Sequence, residues 1–338
     1  MKRISYRSKL FLRSMLKIAL IALGILLAAA IVLLIYLAPY ITYDREGAHL
    51  DLTAKTTGEP APSAPTESPA PDDVTIIYDT PAQDEGEAVG TVGYYVTSAM
   101  LRDPAAVMEA LQAMEEPCIV MLELKSIYGN FYYSTSIEGA QVADADIPAI
   151  DELISYLKRR GFYLIAEIPA FCDSAFALAN QSSGLPIAGG ALWVDGNGCY
   201  WLDPADDTVL NYLKQISREL SSLGFREVAF SDFRFPVGNT IDYASDRTTA
   251  QLISHAAQEL TAFFDNSNLR ISFVTDDTAF PANACAGKLY IPNADGSKVE
   301  KYVQAFSEAE SISGFVFLTA SRDTRFDAQS ALRPLLAQ

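Results

Sequence analysis

The sequence predicts an α/β fold: a (β/α)8 TIM-type barrel with one strand irregular or missing, preceded by a transmembrane helix and a disordered linker. Three observations predict it. From Thr91 onward, short apolar strand-like runs alternate with helix-like blocks, which implies a parallel sheet covered by helices. The block 91–338 is 248 residues long, the size of a closed barrel of this kind. Neither G-x-G-x-x-G nor G-x-x-x-x-G-K-[ST] follows the first strand, which disfavours the alternative, a doubly wound nucleotide-binding sheet.

Seven strands are readable: TVGYYVT (91–97), PCIVMLEL (117–124), FYLIAEI (162–168), REVAFSDF (226–233), LRISFVT (269–275), KLYIP (288–292) and GFVFLTA (314–320). Asp103-Pro104 supplies the cap and first-turn proline of a helix reaching about Glu116. A second helix runs from Ile147 to Arg160 and stops at Gly161, and Asp203-Pro204 opens a third that ends at Leu223-Gly224. Residues 245–265, 298–309 and 327–336 supply the remaining helical patterns.

Ahead of the barrel, residues 18–41 (IALIALGILLAAAIVLLIYLAPYI) form an apolar run of the length a bilayer core requires. The tail 1–17 carries Lys2, Arg3, Arg7, Lys9, Arg13 and Lys17, and the first acid is Asp44. That bias predicts a single-pass cell-membrane protein with a cytoplasmic N-terminus and everything after Tyr43 outside. A cleaved signal peptide with a site at Ala28-Ala29-Ala30 is the rival, but the apolar run continues well past those alanines. Residues 42–90, with TTGEPAPSAPTESPAPDD at their centre, have the composition of a solvated acidic spacer.

The formal net charge is −17, and the chain beyond the basic tail holds 19 basic against 42 acidic residues, a net of −23. Such a surface repels phosphate backbones, so no nucleic-acid partner is expected; neutral or cationic ligands fit better. The four cysteines, Cys118, Cys172, Cys199 and Cys285, include no C-x-x-C pair and allow several disulfide pairings. With only His49 and His255 available, neither a zinc site nor a Ser-His-Asp triad is expected, and no cofactor. Carboxylates are left as the plentiful acid–base groups.

They recur where a barrel places its chemistry, at the C-terminal ends of strands. Glu123 and Lys125 end the second strand, Glu167 the third, Asp232 and Arg234 the fourth, and Asp276-Asp277 the fifth. Unpaired burial of so many charges is costly. They either form ion pairs, Glu123 with Lys125 and Asp232 with Arg234, or face a ligand. A pair of carboxyls, one protonated and one ionised, is what glycoside hydrolysis uses. Between strands three and four, the insertion 169–204 holds Trp193, Tyr200, Trp201 and Asp203, while Tyr128, Tyr132 and Tyr133 follow strand two. These aromatics are candidate platforms for sugar rings, or anchors that fold the loops down.

At these residues the chain resembles a bacterial family of glycoside-hydrolase-like barrels, distantly similar to the α-amylase type and long catalogued as a domain of unknown function. The resemblance spans roughly Gly93 to Leu318 and rests on VGYYVTS, LELKSIYGNFYY, AEIPAFCD, WVDGNGCYWLDP and GFREVAFSDFRFP. The last two are its most specific segments. It implies hydrolysis of O-glycosyl bonds. The family's strand-four aspartate, the analogue of an amylase-type nucleophile, falls on Ser231. Its strand-two aspartates fall on Glu123 and Ser126, and its strand-three arginine on Glu167. Strand alternation places Asp232 on the face opposite Ser231.

The expected activity is therefore that of a membrane-anchored, extracytoplasmic glycoside-hydrolase-like protein acting on cell-envelope or extracellular glycans. Asp232 or Glu123 is the expected ionised carboxylate and Glu167 the acid. Trp201, Trp193, Tyr200, Tyr128, Arg234, Lys125, Asp203 and Asp276 are the expected substrate contacts, and no metal is expected. The alternative is a catalytically degenerate barrel that binds a glycan or a protein at the cell surface.

Overall fold

The computed structural model describes residues 41–44, 47–50, 92–281, 287–307, 314–319, 321 and 323–336. The chain divides into two compact units, Met1–Gln83 and Asp84–Gln338. In the first, Ile41–Asp44 pairs antiparallel with Gly47–Leu50, so part of the segment whose composition reads as spacer is paired backbone. The rest of the apolar run 18–41 and nearly all of the spacer lie outside the described residues. Among the described residues no helix is long and apolar enough to cross a membrane.

The second unit is a closed barrel of eight parallel strands: β1 (Val92–Val96), β2 (Ile119–Glu123), β3 (Tyr163–Pro169), β4 (Glu227–Ser231), β5 (Arg270–Val274), β6 (Leu289–Ala294), β7 (Phe315–Thr319) and β8 (Ala331–Pro334). The principal helices are α1 (Pro104–Gln112), α2 (Ile147–Arg160), α3 (Ser174–Ala179), α4 (Asp207–Leu223), α5 (Thr249–Phe264) and α6 (Val299–Ser307). The caps follow from local sequence. Asp103 and Asp146 accept the N–H of Ala106 and Ala149, Thr248 and Gln251 form a reciprocal capping box, and Gly161 and Gly224 end α2 and α4 with left-handed backbone.

Two expectations are corrected. Residues 327–336, read as helix, contain β8, the strand the sequence left missing. Leu332 pairs with Leu318 on one side and Gly93 on the other, so two neighbouring ladders override the local pattern and close the barrel. Asp203-Pro204 does not open a helix either. α4 begins at Asp207 with Asp206 as its cap, and Asp203 instead accepts the Tyr243 hydroxyl at 2.9 Å.

Side chains alternate between two apolar layers. Val120, Leu122, Leu164, Ala166, Val228 and Phe230 pack outward against the helices. Met121, Ile165, Ala229, Val274, Tyr290, Val316, Leu318 and Leu332 fill the interior. Gly93 in β1 has no room for a side chain, because a Cβ would overlap the Ile119 backbone oxygen. At the N-terminal end of the interior, Glu227 is fully buried and accepts the hydroxyls of Ser272 at 2.6 Å, Tyr290 at 2.8 Å and Tyr163 at 3.0 Å.

Burial, followed by the Glu227 charge, pushes the hydroxyls of Tyr163 and Tyr290 well up from their ordinary value. Their folded-state pKa values exceed the unfolded ones. This contribution to stability is therefore present below about pH 10 and is lost as pH rises beyond it, by about 1.4 kcal/mol per unit for each group held neutral. Urea midpoints measured from pH 8 to 11.5 should be flat at first and fall above pH 10. In a Tyr290→Phe variant the fall should be shallower.

Candidate active site at the barrel mouth

Glu123 is the last residue of β2, and its direct register partner on β3 is Glu167. Two residues beyond Glu167 along β3, Pro169 pairs with Ser231, which ends β4. All three lie on the inward-facing positions, because Met121, Ile165 and Ala229, two residues before each along its strand, belong to the interior layer. Adjacent strands are about 4.8 Å apart, so two carboxylates share one wall of the mouth.

Their environments differ. Glu123 is half-buried, and its Oε2 accepts the Ser98 N–H at 2.8 Å and the Ser98 hydroxyl at 3.0 Å. Beside it, burial and then the Glu123 charge push the Tyr132 hydroxyl up, and a hydrogen bond with Ser98 opposes them. Glu167 is completely buried, and Ser231 is 4% exposed with no hydrogen-bond partner for its hydroxyl among the described residues. Ser98 was not foreseen from sequence, although it stands just past the end of β1, where a barrel places site residues.

Asp232 follows directly with a φ of +49°, left-handed backbone. The alternation rule that puts it on the face opposite Ser231 holds for extended chain and ends at this residue. Asn293, with a φ of +48°, is the other non-glycine residue of this kind among the described residues, and it lies in β6 where the register with β7 shifts. Irregular backbone at strand ends is a common way of re-aiming side chains at a site. Asp276 is exposed just beyond β5.

Neither expected ion pair is the one observed. Lys125 is fully buried in the outer layer, 2.8 Å from Asp173 and 3.1 Å from the Pro169 oxygen, so it does not face the mouth. Asp173 also accepts the Tyr212 hydroxyl at 2.9 Å and caps α3 through the Phe176 N–H. Gly129 passes so close that a Cβ there would overlap the Asp173 carboxylate.

The aromatics act mainly as anchors. Trp201 is 1% and Trp193 8% exposed, so neither indole is the open platform that a sugar ring requires. The Trp193 Nε1 donates to the Thr240 hydroxyl at 3.1 Å and the Trp201 Nε1 to Asp195 at 2.9 Å. Tyr133 is buried against α4, where its hydroxyl donates to Glu219. Burial pushes the Glu219 carboxyl up, but donors from Ser136, Thr135 and Tyr133 outweigh it and hold the group below its usual range. A flank cleft of ≈ 490 Å³ beside Glu219 contains none of the mouth carboxylates. Tyr128 and Tyr200 are half-buried; the Tyr128 hydroxyl donates to the Asn197 oxygen at 2.9 Å.

Cys172 and Cys199 are joined as a disulfide, with Cα atoms 6.4 Å apart, while Cys285 lies outside the described residues. The bridge ties the loop after β3 to the Trp201 loop. A cross-link across 27 residues is worth about 3–4 kcal/mol by chain entropy. Reduction or Cys172→Ser should lower the unfolding free energy by that order and open the 185–200 loop to protease, with the first cuts mapped by mass spectrometry.

No curated protein matches the chain in sequence. In fold it is similar to the α-galactosidase from Lactobacillus brevis, 10% identical, with a TM-score of 0.50 over 72% of this chain and 37% of that one. It is also similar to an α-galactosidase from Thermus thermophilus, 10% identical, TM-score 0.49, over 73% and 58%. A hypothetical protein from Ruminiclostridium thermocellum is 17% identical, TM-score 0.46, over 53% and 97%. The chain thus spans 37% and 58% of the two galactosidases, and likeness at such identity concerns the fold alone. Residues 93–278, more than half of the chain, match the family described as "Putative glycosyl hydrolase domain", and to that family the chain belongs.

Proposed function

We propose that the protein is a membrane-anchored, extracytoplasmic glycoside hydrolase acting on cell-envelope or extracellular glycans by carboxylate chemistry. The observation that carries this is the register pairing of Glu123 with Glu167 on the inward face at the barrel mouth. Glu123, reachable from the mouth and held by Ser98, is the ionised group. Glu167, its register partner on the same wall and fully buried, takes the role of the acid. Asp232 on its left-handed turn is the second candidate for the ionised role. The apolar run 18–41 behind a basic tail supports anchoring, and the Cys172–Cys199 disulfide suits an oxidising compartment.

One observation favours the second reading, a binding module. The inward position at the end of β4 carries a serine, and both it and Glu167 are closed off from solvent. The test is to incubate the barrel unit with a panel of envelope and extracellular polysaccharides, following reducing ends and retention together. Turnover supports the hydrolase. Retention without turnover, unchanged by Asp232→Asn, supports the module. A protein that neither retains nor cleaves any glycan sinks the hydrolase and the glycan-binding module, and leaves a module that binds a protein.

A further inference from the structure

The sequence sets Arg234 two residues from Asp232 as a partner for it, and the structure gives the arginine a different one. Its guanidinium carbon lies 4.7 Å from the centroid of the Trp201 ring. Among the described residues no carboxylate forms an ion pair with it. The ring beneath is fixed: Trp201 is buried, its Nε1 is bonded to Asp195, and Cys199, two residues earlier, is bridged to Cys172. The Asp195 carboxylate is itself occupied, since its other oxygen accepts the N–H groups of Asn197 and Cys199, each at 2.9 Å.

Arg234 is nevertheless exposed. The result is a planar cation laid on a rigid indole just beyond the end of β4, with no carboxylate among the described residues paired to it. Stacking of this kind restrains a long side chain before any ligand arrives, which lowers the ordering cost of binding. The edge of a guanidinium matches a carboxylate in two-pronged geometry. The net charge of −23 beyond the basic tail opposes the approach of a polyanion, whereas a single carboxylate on a neutral chain meets far less long-range repulsion.

We infer that Arg234 is a specificity-determining residue and selects glycans that carry an isolated acidic sugar, one carboxylate on an otherwise neutral chain. This rests on the glycan reading above and narrows it to a substrate class.

The full chain in detergent micelles is titrated with matched probes: a neutral xylo-oligosaccharide and its singly glucuronate-substituted form, a neutral N-acetyllactosamine oligomer and its singly sialylated form, and polygalacturonate. In whichever pair binds, the acidic member should bind about tenfold tighter, and polygalacturonate should bind more weakly than that member. Arg234→Gln should bring the ratio near one by weakening the acidic member about tenfold. Arg234→Lys, which keeps charge without the fork, should fall between, and an unchanged rate of protease cutting in the 185–200 loop would show that the Trp201 loop is intact. A wild-type ratio near one, a ratio that survives Arg234→Gln, or a preference for the polyanion overturns the inference and leaves the glycan reading standing. Absence of binding to every carbohydrate overturns both.

Discussion

Glu123→Gln is expected to reduce glycan turnover by roughly 10²–10⁴-fold while leaving glycan retention close to wild type. The amide keeps the size of the carboxylate, and its oxygen can still accept the Ser98 N–H and hydroxyl now bound to Oε2, so the local fold should persist. What is lost is the negative charge at the half-exposed position beside Glu167 on the mouth wall. The effect should appear in kcat rather than KM, since a charge that works on the reacting bond acts in the transition state. Turnover by Glu123→Gln at the wild-type rate would remove Glu123 from the chemistry and leave Asp232 as the carboxylate to test.

Asp173→Ala is expected to destabilise the barrel by about 3–5 kcal/mol, the cost of leaving a buried charge without its partner. Lys125 and Asp173 are both 0% exposed, so no solvent would screen the abandoned ammonium. The Pro169 oxygen and the face of the Tyr212 ring, 5.9 Å from the ammonium, would remain to it, and neither carries a compensating charge. The same substitution strips the acceptor from the Tyr212 hydroxyl and the cap from α3. The pairing of Lys125→Met with Asp173→Leu should recover much of the loss, because apolar replacement of both partners removes the unpaired charge. Equilibrium urea unfolding measures both variants. A single-variant loss below about 1 kcal/mol, typical of an exposed pair, would contradict the burial described.

The disagreements between sequence and structure have local causes. VAFSDFRFP reads as strand, and it is strand through Ser231; the left-handed backbone of Asp232 is set by the turn that carries Phe233 into the aromatic layer with Phe171, Phe230 and Phe273. Residues 327–336 read as helix because their apolar spacing is ambiguous over so short a run. The sequence places Lys125 at the mouth because it stands two residues from Glu123. The strand ends at Glu123, however, so alternation no longer relates the two side chains, and Lys125 turns into the outer layer toward Asp173.

The sequence by itself determined the alternation of strands and helices, the caps and glycine stops, the acidic surface and the ranking of Glu123, Glu167 and Asp232 as candidates. These are properties of neighbours along the chain, where periodicity and backbone preference act directly. Tertiary structure decided which carboxylates share a wall, which cation each charge meets, that Trp201 supports Arg234 instead of facing a sugar, and that Ala331–Pro334 closes the barrel. Those outcomes depend on register and burial between segments 33 to 239 residues apart. Such pairings are fixed by the free energy of closing the whole ladder and core, which no single stretch of the chain contains.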